Sequence, residues 1–426
     1  MTTTYNWSRN LAYGSSAVLR PRSTDELAEI ITSNPRVRAL GSKHSFNRVA
    51  DTDGVHVQVD AIDSTVEVDT AAMTASVNGG LRYGEVSQAL QASGVALGAM
   101  ASLPHISVAG AVATATHGSG DATRNLAAAV RGLEIVTGDG TVRTLTRGDA
   151  DFAGAVVGLG ALGVVTRVVL DVVPTYDVRQ DVYLGLGWDT VRERFDEITS
   201  SATSVSLFTS WGPDGVDQVW RKTAVPAGSA ATEFPRSYLD APAATEAMHP
   251  LPGVDATACT GQLGVPGPWN ERLPHFRLDF TPSNGEELQT EYLVPRRHAV
   301  AAIDAVRALA PQVQPLLQIT EIRTIAADDL WMSSTSGEDG HEGFIGIHFT
   351  WKKLQPEVEA LLPTIEAALA PCGARPHWGK LFDDSPSALG RVAAAYPRFG
   401  DFAALAERYD PEQRFRGGFV ADLLGG

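Results

Sequence analysis

The sequence predicts an α+β protein of two domains, and three observations support this prediction. First, the chain has 426 residues, and at roughly 100–200 residues per domain this length favours two domains. Second, residues 1–175 alternate short strands with short helices. Third, the segments after Pro174 show longer polar–apolar alternation separated by helical patterns, as in an antiparallel sheet with flanking helices. We therefore predict a first domain over 1–175, a second over 176–390, and a C-terminal segment, 391–426, that rejoins the first.

Capping and turn signals predict the elements of the first domain. Ser23 and Glu26 have the spacing of a capping box, so a helix is predicted to begin there. A second helix is predicted over 82–92, where a glycine follows the last apolar position. The Asp139-Gly140 pair predicts a hairpin turn. Short runs of β-branched and apolar residues predict strands at 37–40, 56–60, 66–69, 75–78, 132–137 and 141–146.

Period-two alternation predicts the strands of the second domain. These strands are expected at 205–211, 276–280, 317–325 and 344–351. Helical patterns predict the intervening helices at 188–200, 286–293 and 299–309. Residues 221–270 are rich in Pro, Ala and Gly, which indicates an irregular excursion. The C-terminal segment returns to helices and turns.

The charge balance argues against a nucleic-acid partner. The chain has 34 basic and 50 acidic residues and a formal charge of −16, so phosphate backbones and anionic membrane surfaces would be repelled. The two cysteines, Cys259 and Cys372, form neither a disulfide framework nor a metal-binding knuckle. We expect no metal.

A membrane location is not expected from the hydropathy pattern. The first ten residues lack a charged start followed by an apolar stretch, as a secretory leader would have. The longest apolar run, 153–173, contains three glycines, Arg167 and Asp171, and its second half is β-branched. Such a run favours a pair of buried strands over a membrane span. A soluble cytoplasmic protein without membrane contact is expected.

Two glycine motifs resemble nucleotide-binding fingerprints but lack the required context. Gly158-Leu-Gly160-Ala-Leu-Gly163 matches GxGxxG, yet a β-branched run follows it where the mechanism requires a helix N-terminus. The segment 373–380 resembles a P-loop, but its glycines are spaced one residue too far apart and Leu381 replaces the magnesium-binding hydroxyl. HExxH and GxSxG are absent from the sequence. These motifs predict neither a Rossmann site nor a P-loop.

Two other segments rich in small residues, 41–47 and 102–120, predict a cofactor cradle. Backbone with almost no side chain lets a cofactor approach closely, and successive N–H groups form nests for a diphosphate. One such segment alone would be read as an ordinary tight turn. Two of them, one with a histidine at its turn, favour the cradle.

At this point the sequence resembles a known family, the alditol oxidases of the vanillyl-alcohol-oxidase group of FAD enzymes, which is close to the sugar-lactone oxidases. The resemblance implies a PCMH-type FAD-binding domain, built from the N-terminal half and the C-terminal tail, and a substrate (cap) domain on an antiparallel sheet. The matching motifs span nearly the whole chain and occur in the same order as in the family. The matching motifs are GSKHSFN (41–47), MASLPHISVAGAVATATHGSG (100–120), GALGVVT (160–166), EIRT (321–324), HFTW (348–351) and PHWGK (376–380).

The resemblance also implies roles for individual residues. His44 is the residue expected to bond the 8α-methyl of FAD covalently, although an isolated histidine in a turn would be read as a hydrogen-bonding residue. The other residues expected along the FAD are Gly41, Ser42, Lys43, Ser45, Phe46, Asn47, Ser102, Ser107, Gly110, Ala111, Val112, Ala113, Val165 and His377. The residues expected in the substrate pocket are Ser102, Glu321, Arg323, His348, Thr350 and Lys380, of which Glu321, Arg323, His348 and Lys380 are the catalytic candidates.

Strand geometry supports part of this set independently. Glu321 and Arg323 are two residues apart and point to one face of their strand, as His348 and Thr350 do on another. A structural ion pair would explain the first pair alone. Two such strands together with Lys380 predict a polar pocket suited to a neutral polyol.

The chain departs from the family at two places. Lys43 stands where relatives usually have glycine or arginine, and Gly417 and Gly418 stand where relatives often have an asparagine. The first departure lies beside the expected flavin. The second concerns the local packing of the C-terminal tail and not the chemistry.

The activity implied by the resemblance is oxidation of the terminal primary alcohol of an alditol such as xylitol, sorbitol or glycerol to the aldose. Hydride would pass to flavin N5, and O2 would be reduced to H2O2. Arg323 and Lys380 would stabilise the developing alkoxide, and either His348 or Lys380 would take the hydroxyl proton. The alternatives are an aldonolactone oxidase of the same family, a dehydrogenase using another electron acceptor, and a non-catalytic flavin-binding protein. A monomer is expected.

Overall fold

The computed structural model describes residues 4–231, 235–280, 286–337 and 342–425. Its strands are β1 (Ala17–Leu19), β2 (Val37–Ala39), β3 (Val55–Val57), β4 (Glu67–Asp69), β5 (Thr74–Asn78), β6 (Val95–Ala96), β7 (Val130–Val136), β8 (Val142–Thr146), β9 (Val164–Asp171), β10 (Val173–Pro174), β11 (Tyr176–Gly187), β12 (Ser204–Thr209), β13 (Gly215–Pro226), β14 (Ser237–Tyr238), β15 (Ala241–Pro242), β16 (Gly267–Pro268), β17 (Glu287–Pro295), β18 (Leu317–Ile325), β19 (Phe344–Lys352) and β20 (Arg375–Pro376). Its α-helices are α1 (Thr24–Ser33), α2 (Tyr83–Ala92), α3 (Val108–Ala113), α4 (Phe152–Ala155), α5 (Trp188–Glu193), α6 (Phe195–Thr199), α7 (Ala299–Ala308), α8 (Ala310–Val313), α9 (Gln355–Leu369), α10 (Pro386–Ala394), α11 (Phe399–Tyr409) and α12 (Gly418–Leu424).

Two kinds of sheet organise the described chain. Near the N-terminus, a parallel sheet has the order β1-β3-β2, and an antiparallel sheet has the order β4-β5-β9-β7-β8. A larger antiparallel sheet of eight strands has the order β16-β11-β13-β12-β18-β19-β17-β20. The α+β class predicted from the sequence is confirmed.

The eight-stranded sheet has one apolar and one polar face because its strands alternate. On β19, Ile345, Ile347 and Phe349 lie in the core that includes apolar residues of α7 and α9. The intervening residues, His348 and Thr350, therefore point to the opposite face. This polar face is the one that carries the candidate site.

The C-terminal helices pack against the smaller antiparallel sheet. Phe402 and Leu405 of α11 and Phe419 of α12 are buried in one cluster with residues of β5, β7 and β9. Their chain segment is thus joined to the N-terminal part by apolar contact, whose burial contributes roughly 1.5–3 kcal/mol for each such large side chain.

Several predicted elements are confirmed. Ser23 caps α1, because its hydroxyl oxygen accepts from the backbone N–H of Glu26 at 3.1 Å. Helix α2, the β7–β8 hairpin, and strands β18 and β19 occupy the predicted positions. The Gly158–Gly163 motif is followed by β9 and not by a helix. This confirms the prediction that the motif is not a Rossmann fingerprint.

Other predictions were wrong. The helix predicted at 286–293 is strand β17, because pairing with β19 and β20 outweighs the helix propensity of its Glu, Leu and Gln residues. The strand predicted at 276–280 is a loop joined to Cys259 by one bridge. The apolar run 153–173 contains α4, a turn and β9 instead of two strands. No helix of the described residues is long and apolar enough to cross a membrane.

Candidate active site

A single elongated cavity brings the predicted site residues together. One end passes between the loops of the smaller sheets, and the other reaches the polar face of the eight-stranded sheet. Of the predicted residues, its lining includes Gly41, Ser42, Lys43, His44, Ser45, Phe46, Ser102, Ser107, Gly110, Ala111, Val112, Ala113, Val165, Glu321, Arg323, His348, Thr350, His377 and Lys380. Asn47 is the one predicted residue outside this lining.

The two small-residue segments meet at Gly41 and Ser107. A Cβ on Gly41 would lie 2.1 Å from the Ser107 hydroxyl oxygen, so a larger residue here would displace this hydroxyl from its hydrogen bond with Ser42. The Ser107 backbone N–H donates to the Ser42 hydroxyl at 3.0 Å, and the Ser42 N–H donates to the Ser107 hydroxyl at 3.3 Å. The segments predicted as a cradle therefore form one continuous wall.

Lys43 adopts a left-handed backbone conformation, with φ of +65°. This region is strained for residues with a Cβ and unstrained for glycine. The structure thus gives a physical reason why glycine suits this position, and it shows that the lysine is accommodated at a conformational cost.

His44 points its ring into the cavity. Both ring nitrogens are buried and lack a well-formed hydrogen bond to any described residue. Burial, together with the neighbouring His105, lowers the pKa of His44 to about 3. The imidazole is therefore neutral, with an unprotonated nitrogen available to form a bond.

Asn47 lies behind the cavity wall and joins two distant segments. Its amide donates to the carbonyl oxygens of Trp378 at 2.9 Å and of Lys380 at 2.7 Å. The neighbouring Phe46 N–H donates to the Gly379 carbonyl at 2.9 Å. The loop that carries His44 is thereby fixed against the loop that carries Lys380.

A row of ionisable residues crosses three neighbouring strands on the polar face. Glu321 of β18 is the cross-strand partner of His348 on β19, and His348 is the partner of Glu291 on β17. Directly opposed residues point to the same face. All three side chains therefore face the cavity.

Glu291 is the hub of this row. Its Oε1 lies 3.1 Å from Arg323 Nη2 and 3.1 Å from His117 Nε2, and its Oε2 lies 3.1 Å from His348 Nδ1. Burial alone would raise the pKa of Glu291, but Arg323, His117 and His348 together hold this pKa well below its usual value. Glu291 is therefore an anion.

Arg323 lies between two carboxylates. Its guanidinium contacts Glu291 at 3.1 Å and Glu321 at 3.6 Å, and it donates to the Ser102 hydroxyl at 3.1 Å. Burial acts to lower the pKa of Arg323, but the two carboxylates outweigh it and raise this pKa. The cation is held rigidly at the cavity wall.

His348 is held as a neutral ring with a defined tautomer. Burial lowers the pKa of His348, which outweighs the opposing effect of Glu291. Because the Glu291 carboxylate can only accept, Nδ1 carries the proton and donates it to Glu291. The unprotonated Nε2 faces Thr350, whose hydroxyl oxygen lies 3.4 Å away.

Lys380 reaches the same region from the loop after β20. Its Nζ donates to the Gln289 side-chain oxygen and lies 5.4 Å from the ring centroid of Phe46. Burial lowers the pKa of Lys380 to about 8, although Glu291 acts in the opposite direction. The ammonium form therefore predominates at neutral pH.

His275 and Lys222 form a second series of buried contacts, which ends at Glu321. The His275 Nε2–H donates to Glu321 Oε1 at 2.9 Å, and Lys222 Nζ lies 3.1 Å from His275 Nδ1. Burial lowers the pKa of Lys222 to about 7. Lys222 also donates to the carbonyls of Leu273 at 2.6 Å and Pro274 at 3.0 Å. These contacts fix the tautomer of His275 and the orientation of Glu321.

His377 closes the middle of the cavity beside His117, with ring centroids 5.9 Å apart. Burial holds the pKa of His377 well below its usual value, and its Nδ1 accepts from the Gly379 N–H at 3.0 Å. Ligand atoms of His117, His377 and Glu291 lie within 4.8 Å of one another. Within this cluster, Arg323 already contacts the same Glu291 oxygen that lies 3.1 Å from His117 Nε2.

Comparison with known proteins identifies the family. An alditol oxidase of Streptomyces sp. (strain IKD472 / FERM P-14339) is 46% identical to this chain over 434 residues, which cover 100% of both proteins. The chain belongs to the alditol oxidase family. The FAD binding domain family matches residues 15–146, and the D-arabinono-1,4-lactone oxidase family matches residues 283–423. The protein is thus an FAD-dependent oxidoreductase that acts on CH–OH groups, in the vanillyl-alcohol-oxidase group.

More distant relatives agree with this assignment. The L-gulono-1,4-lactone dehydrogenase of Mycobacterium tuberculosis is 28% identical over 99% of this chain and 98% of its own. A crystal structure of cholesterol oxidase from B. sterolicum matches with a TM-score of 0.78 at 13% identity, covering 99% of this chain and 96% of that one. This likeness shows that the chain and the cholesterol oxidase share a fold.

The cavity fits the FAD that an alditol oxidase family member requires. Its walls at 41–46 and 107–113 consist mainly of small side chains and backbone, which leaves room for a flat ring system and a diphosphate. A buried imidazole without a well-formed hydrogen bond among the described residues is costly unless another group contacts it. The His44 ring at this wall is the group best placed to contact the cofactor.

Sequence reasoning missed four residues of this alditol oxidase site. Glu291 was missed because its strand had been predicted as a helix, although Glu287, Gln289 and Glu291 alternate with Leu288, Thr290 and Tyr292. His117 lies within the quoted 100–120 motif and could have been singled out there. His275 and Lys222 carry no local signal, since only tertiary contact brings them to Glu321.

Proposed function

We propose that this protein oxidises the terminal primary alcohol of an alditol such as xylitol, sorbitol or glycerol to the aldose, and reduces O2 to H2O2. The observation that carries the proposal is the row of Glu321, His348 and Glu291 on the cavity wall, with Arg323 and Lys380 beside it. The 46% identity to an alditol oxidase supports the same substrate class. The FAD-binding domain would comprise 1–175 and 391–426, and the substrate domain 176–390.

The charges around the pocket suit a neutral substrate with many hydroxyls. The carboxylates of Glu291 and Glu321 are balanced by the Arg323 guanidinium, which contacts both, and by the nearby Lys380 ammonium. A charged substrate would add an extra charge to the pocket and would find no unpaired opposite charge among the described residues there. A polyol can instead accept hydrogen bonds from the cations and donate to the carboxylates.

The substrate hydroxyls would be held from three sides. Glu321 accepts hydrogen bonds from hydroxyls that do not react, since His275 fixes its orientation. Ser102 and Thr350 each offer a hydroxyl at the wall. These contacts orient the terminal carbon of the substrate for reaction. Such positioning increases the rate of the chemical step.

His348 is the residue best arranged to take the hydroxyl proton. Glu291 accepts the Nδ1–H and leaves the Nε2 lone pair facing the cavity. This carboxylate–imidazole arrangement is the one that orients general bases elsewhere. Arg323 and Lys380 stabilise the negative charge that develops on the substrate oxygen.

FAD supplies the acceptor for the hydride that leaves the terminal carbon. We expect it to be bonded to His44, whose neutral, buried nitrogen is available for this bond. A covalent link prevents cofactor loss and raises the potential of the flavin. This would favour hydride transfer from an unactivated alcohol.

A second candidate is oxidation of an aldonolactone. It is favoured by the match of residues 283–423 to the D-arabinono-1,4-lactone oxidase family. The two candidates differ in substrate class, since a lactone offers a ring and fewer free hydroxyls. Xylitol and a γ-lactone tested side by side would separate them.

The test is to mix the purified protein with xylitol under anaerobic conditions and follow the visible flavin absorption. The expected result is bleaching, followed by return of the colour and formation of H2O2 when air is admitted. Flavin that stays oxidised with xylitol but bleaches with the γ-lactone would replace the alditol proposal. Bleaching that is reversed by an artificial acceptor but not by air would identify a dehydrogenase.

A Lys380→Ala variant tests the proposed charge stabilisation. We expect flavin reduction to slow by about 100-fold or more while the flavin stays bound, since electrostatic donors of this kind contribute about 3–4 kcal/mol. An unchanged reduction rate would remove Lys380 from the mechanism.

A further inference from the structure

The N-terminal residues form a small hairpin that lies outside the region matched by the FAD binding domain family. Tyr5 and Ala12 form an antiparallel bridge, the Tyr13 N–H donates to the Thr4 carbonyl at 2.9 Å, and the Asn6 N–H donates to the Leu11 carbonyl at 3.0 Å. We call the segment 4–13 the N-terminal hairpin.

The tip of the N-terminal hairpin holds the loop that carries His44. The Trp7 backbone N–H donates to the Lys43 carbonyl at 2.8 Å. The side-chain amides of Asn6 and Asn10 donate to the carbonyls of Ser45 and Phe46, each at 2.9 Å. Three carbonyl groups of the His44 loop are therefore bound by one short segment.

The Trp7 side chain covers the His44 ring directly. The two rings are stacked, with centroids 5.3 Å apart and planes 19° apart. Trp7 also packs edge-on against Phe46, at 6.5 Å and 81°. The indole thus fixes the plane of the imidazole and excludes water from it, and burial of this kind is what lowers the pKa of His44 to about 3.

We propose that the N-terminal hairpin, through Trp7, positions His44 for covalent attachment to FAD. The proposal rests on the function proposed above. Bond formation joins the unprotonated imidazole nitrogen to the 8α carbon, releases one proton from that carbon and one from the other ring nitrogen, and leaves two electrons on the flavin. Dioxygen, the acceptor of the proposed reaction, removes these electrons. Trp7 touches none of the reacting atoms, so it is a positioning residue.

The test measures how much flavin is covalently bound, independently of turnover. Wild type, Trp7→Ala, Trp7→Phe, Tyr5→Ala and His44→Ala are purified under the same conditions. Total flavin is measured by absorbance, and the covalent fraction is the flavin that stays with the protein after denaturation and precipitation. Melting temperatures report on folding. Tyr5→Ala is the matched control, because Tyr5 lies in the same hairpin and is 39% exposed.

We expect attachment to be about tenfold slower in Trp7→Ala, which corresponds to loss of one aromatic stacking contact. The covalent fraction of its flavin should fall while bound, dissociable FAD remains. Trp7→Phe should restore most of the covalent fraction, and Tyr5→Ala should match wild type.

Two outcomes would overturn the proposal. A wild-type covalent fraction in Trp7→Ala would show that the stacking is dispensable. Equal losses of total and covalent flavin in Trp7→Ala and Trp7→Phe, with lowered melting temperatures, would assign Trp7 to folding alone. Fully dissociable flavin in wild type would instead refute the covalent link itself, and His44→Ala would then be indistinguishable from wild type.

Discussion

Replacing Glu291 by Gln tests the proposed proton transfer without changing the size of the side chain. The substitution removes a buried negative charge that lies 3.1 Å from Arg323, His117 and His348. It also places an amide where the His348 Nδ1–H now donates to a carboxylate. An amide NH2 at this position would make Nδ1 the acceptor and move the ring proton to Nε2.

The magnitude follows from these contacts. A His348 ring protonated at Nε2 cannot accept the substrate proton, and loss of a positioned general base costs about 100- to 10,000-fold in rate. Arg323 would keep only Glu321, at 3.6 Å, as its carboxylate partner. Breaking a buried ion pair is also destabilising, by about 3–5 kcal/mol. We therefore expect reduction slower by about 1000-fold and a lower melting temperature.

The assay is anaerobic stopped-flow measurement of flavin bleaching at saturating xylitol. Glu366→Gln serves as a matched control, because Glu366 is a partly buried glutamate that accepts from the Tyr292 hydroxyl at 3.0 Å, on the face of β17 away from the cavity. It should reduce at the wild-type rate. If Glu291→Gln binds flavin and is reduced within about threefold of wild type, His348 is not oriented by Glu291 for catalysis.

Three further predictions follow from the structure. Since the base must be neutral and Lys380 charged, the limiting reduction rate should fall only on the acid side of the ordinary histidine pKa of about 6.5, because burial lowers the pKa of His348. The rate should fall again as pH rises through about 8, where Lys380 loses its proton; a rate that increases through pH 8 would make Lys380 the base. Lys43→Gly should raise the free energy of unfolding by about 1 kcal/mol in denaturant titration, because it relieves a left-handed φ; an unchanged or lower value would contradict this strain. Lys222→Met should raise the KM for xylitol about tenfold with little change in the limiting rate, since Lys222 acts through His275 and Glu321 on non-reacting hydroxyls. A limiting rate that falls as much as kcat/KM would show that Lys222 and His275 influence the chemical step.

The sequence correctly predicted the helices and strands whose sequence signals are local and do not depend on distant contacts. Strand β18 was predicted at its observed bounds because its β-branched residues alternate with polar ones. The cap of α1 was predicted because Ser23 and Glu26 interact within one turn. Long strands β11 and β13 were missed, since their mixed composition becomes a strand only when they pair with each other.

The candidate site was predicted as a set of residues but not as a network. Motifs identified Glu321, Arg323, His348 and Lys380, and the structure brings all four to one cavity. Their partner Glu291 was lost with one wrong assignment, because Glu-Glu-Leu-Gln-Thr-Glu favours a helix by local propensity. The wrong helix assignment thus removed the residue that joins Arg323, His117 and His348.

The joint between the His44 loop and the Lys380 loop limits how enzymes of this type can be recombined. Phe46 and Asn47 hold the backbone of residues 378–380 through three hydrogen bonds. A chimera that took its flavin-binding half from one relative and its substrate half from another would cut across this joint. Residues 46–47 and 378–380 should therefore be inherited as one block.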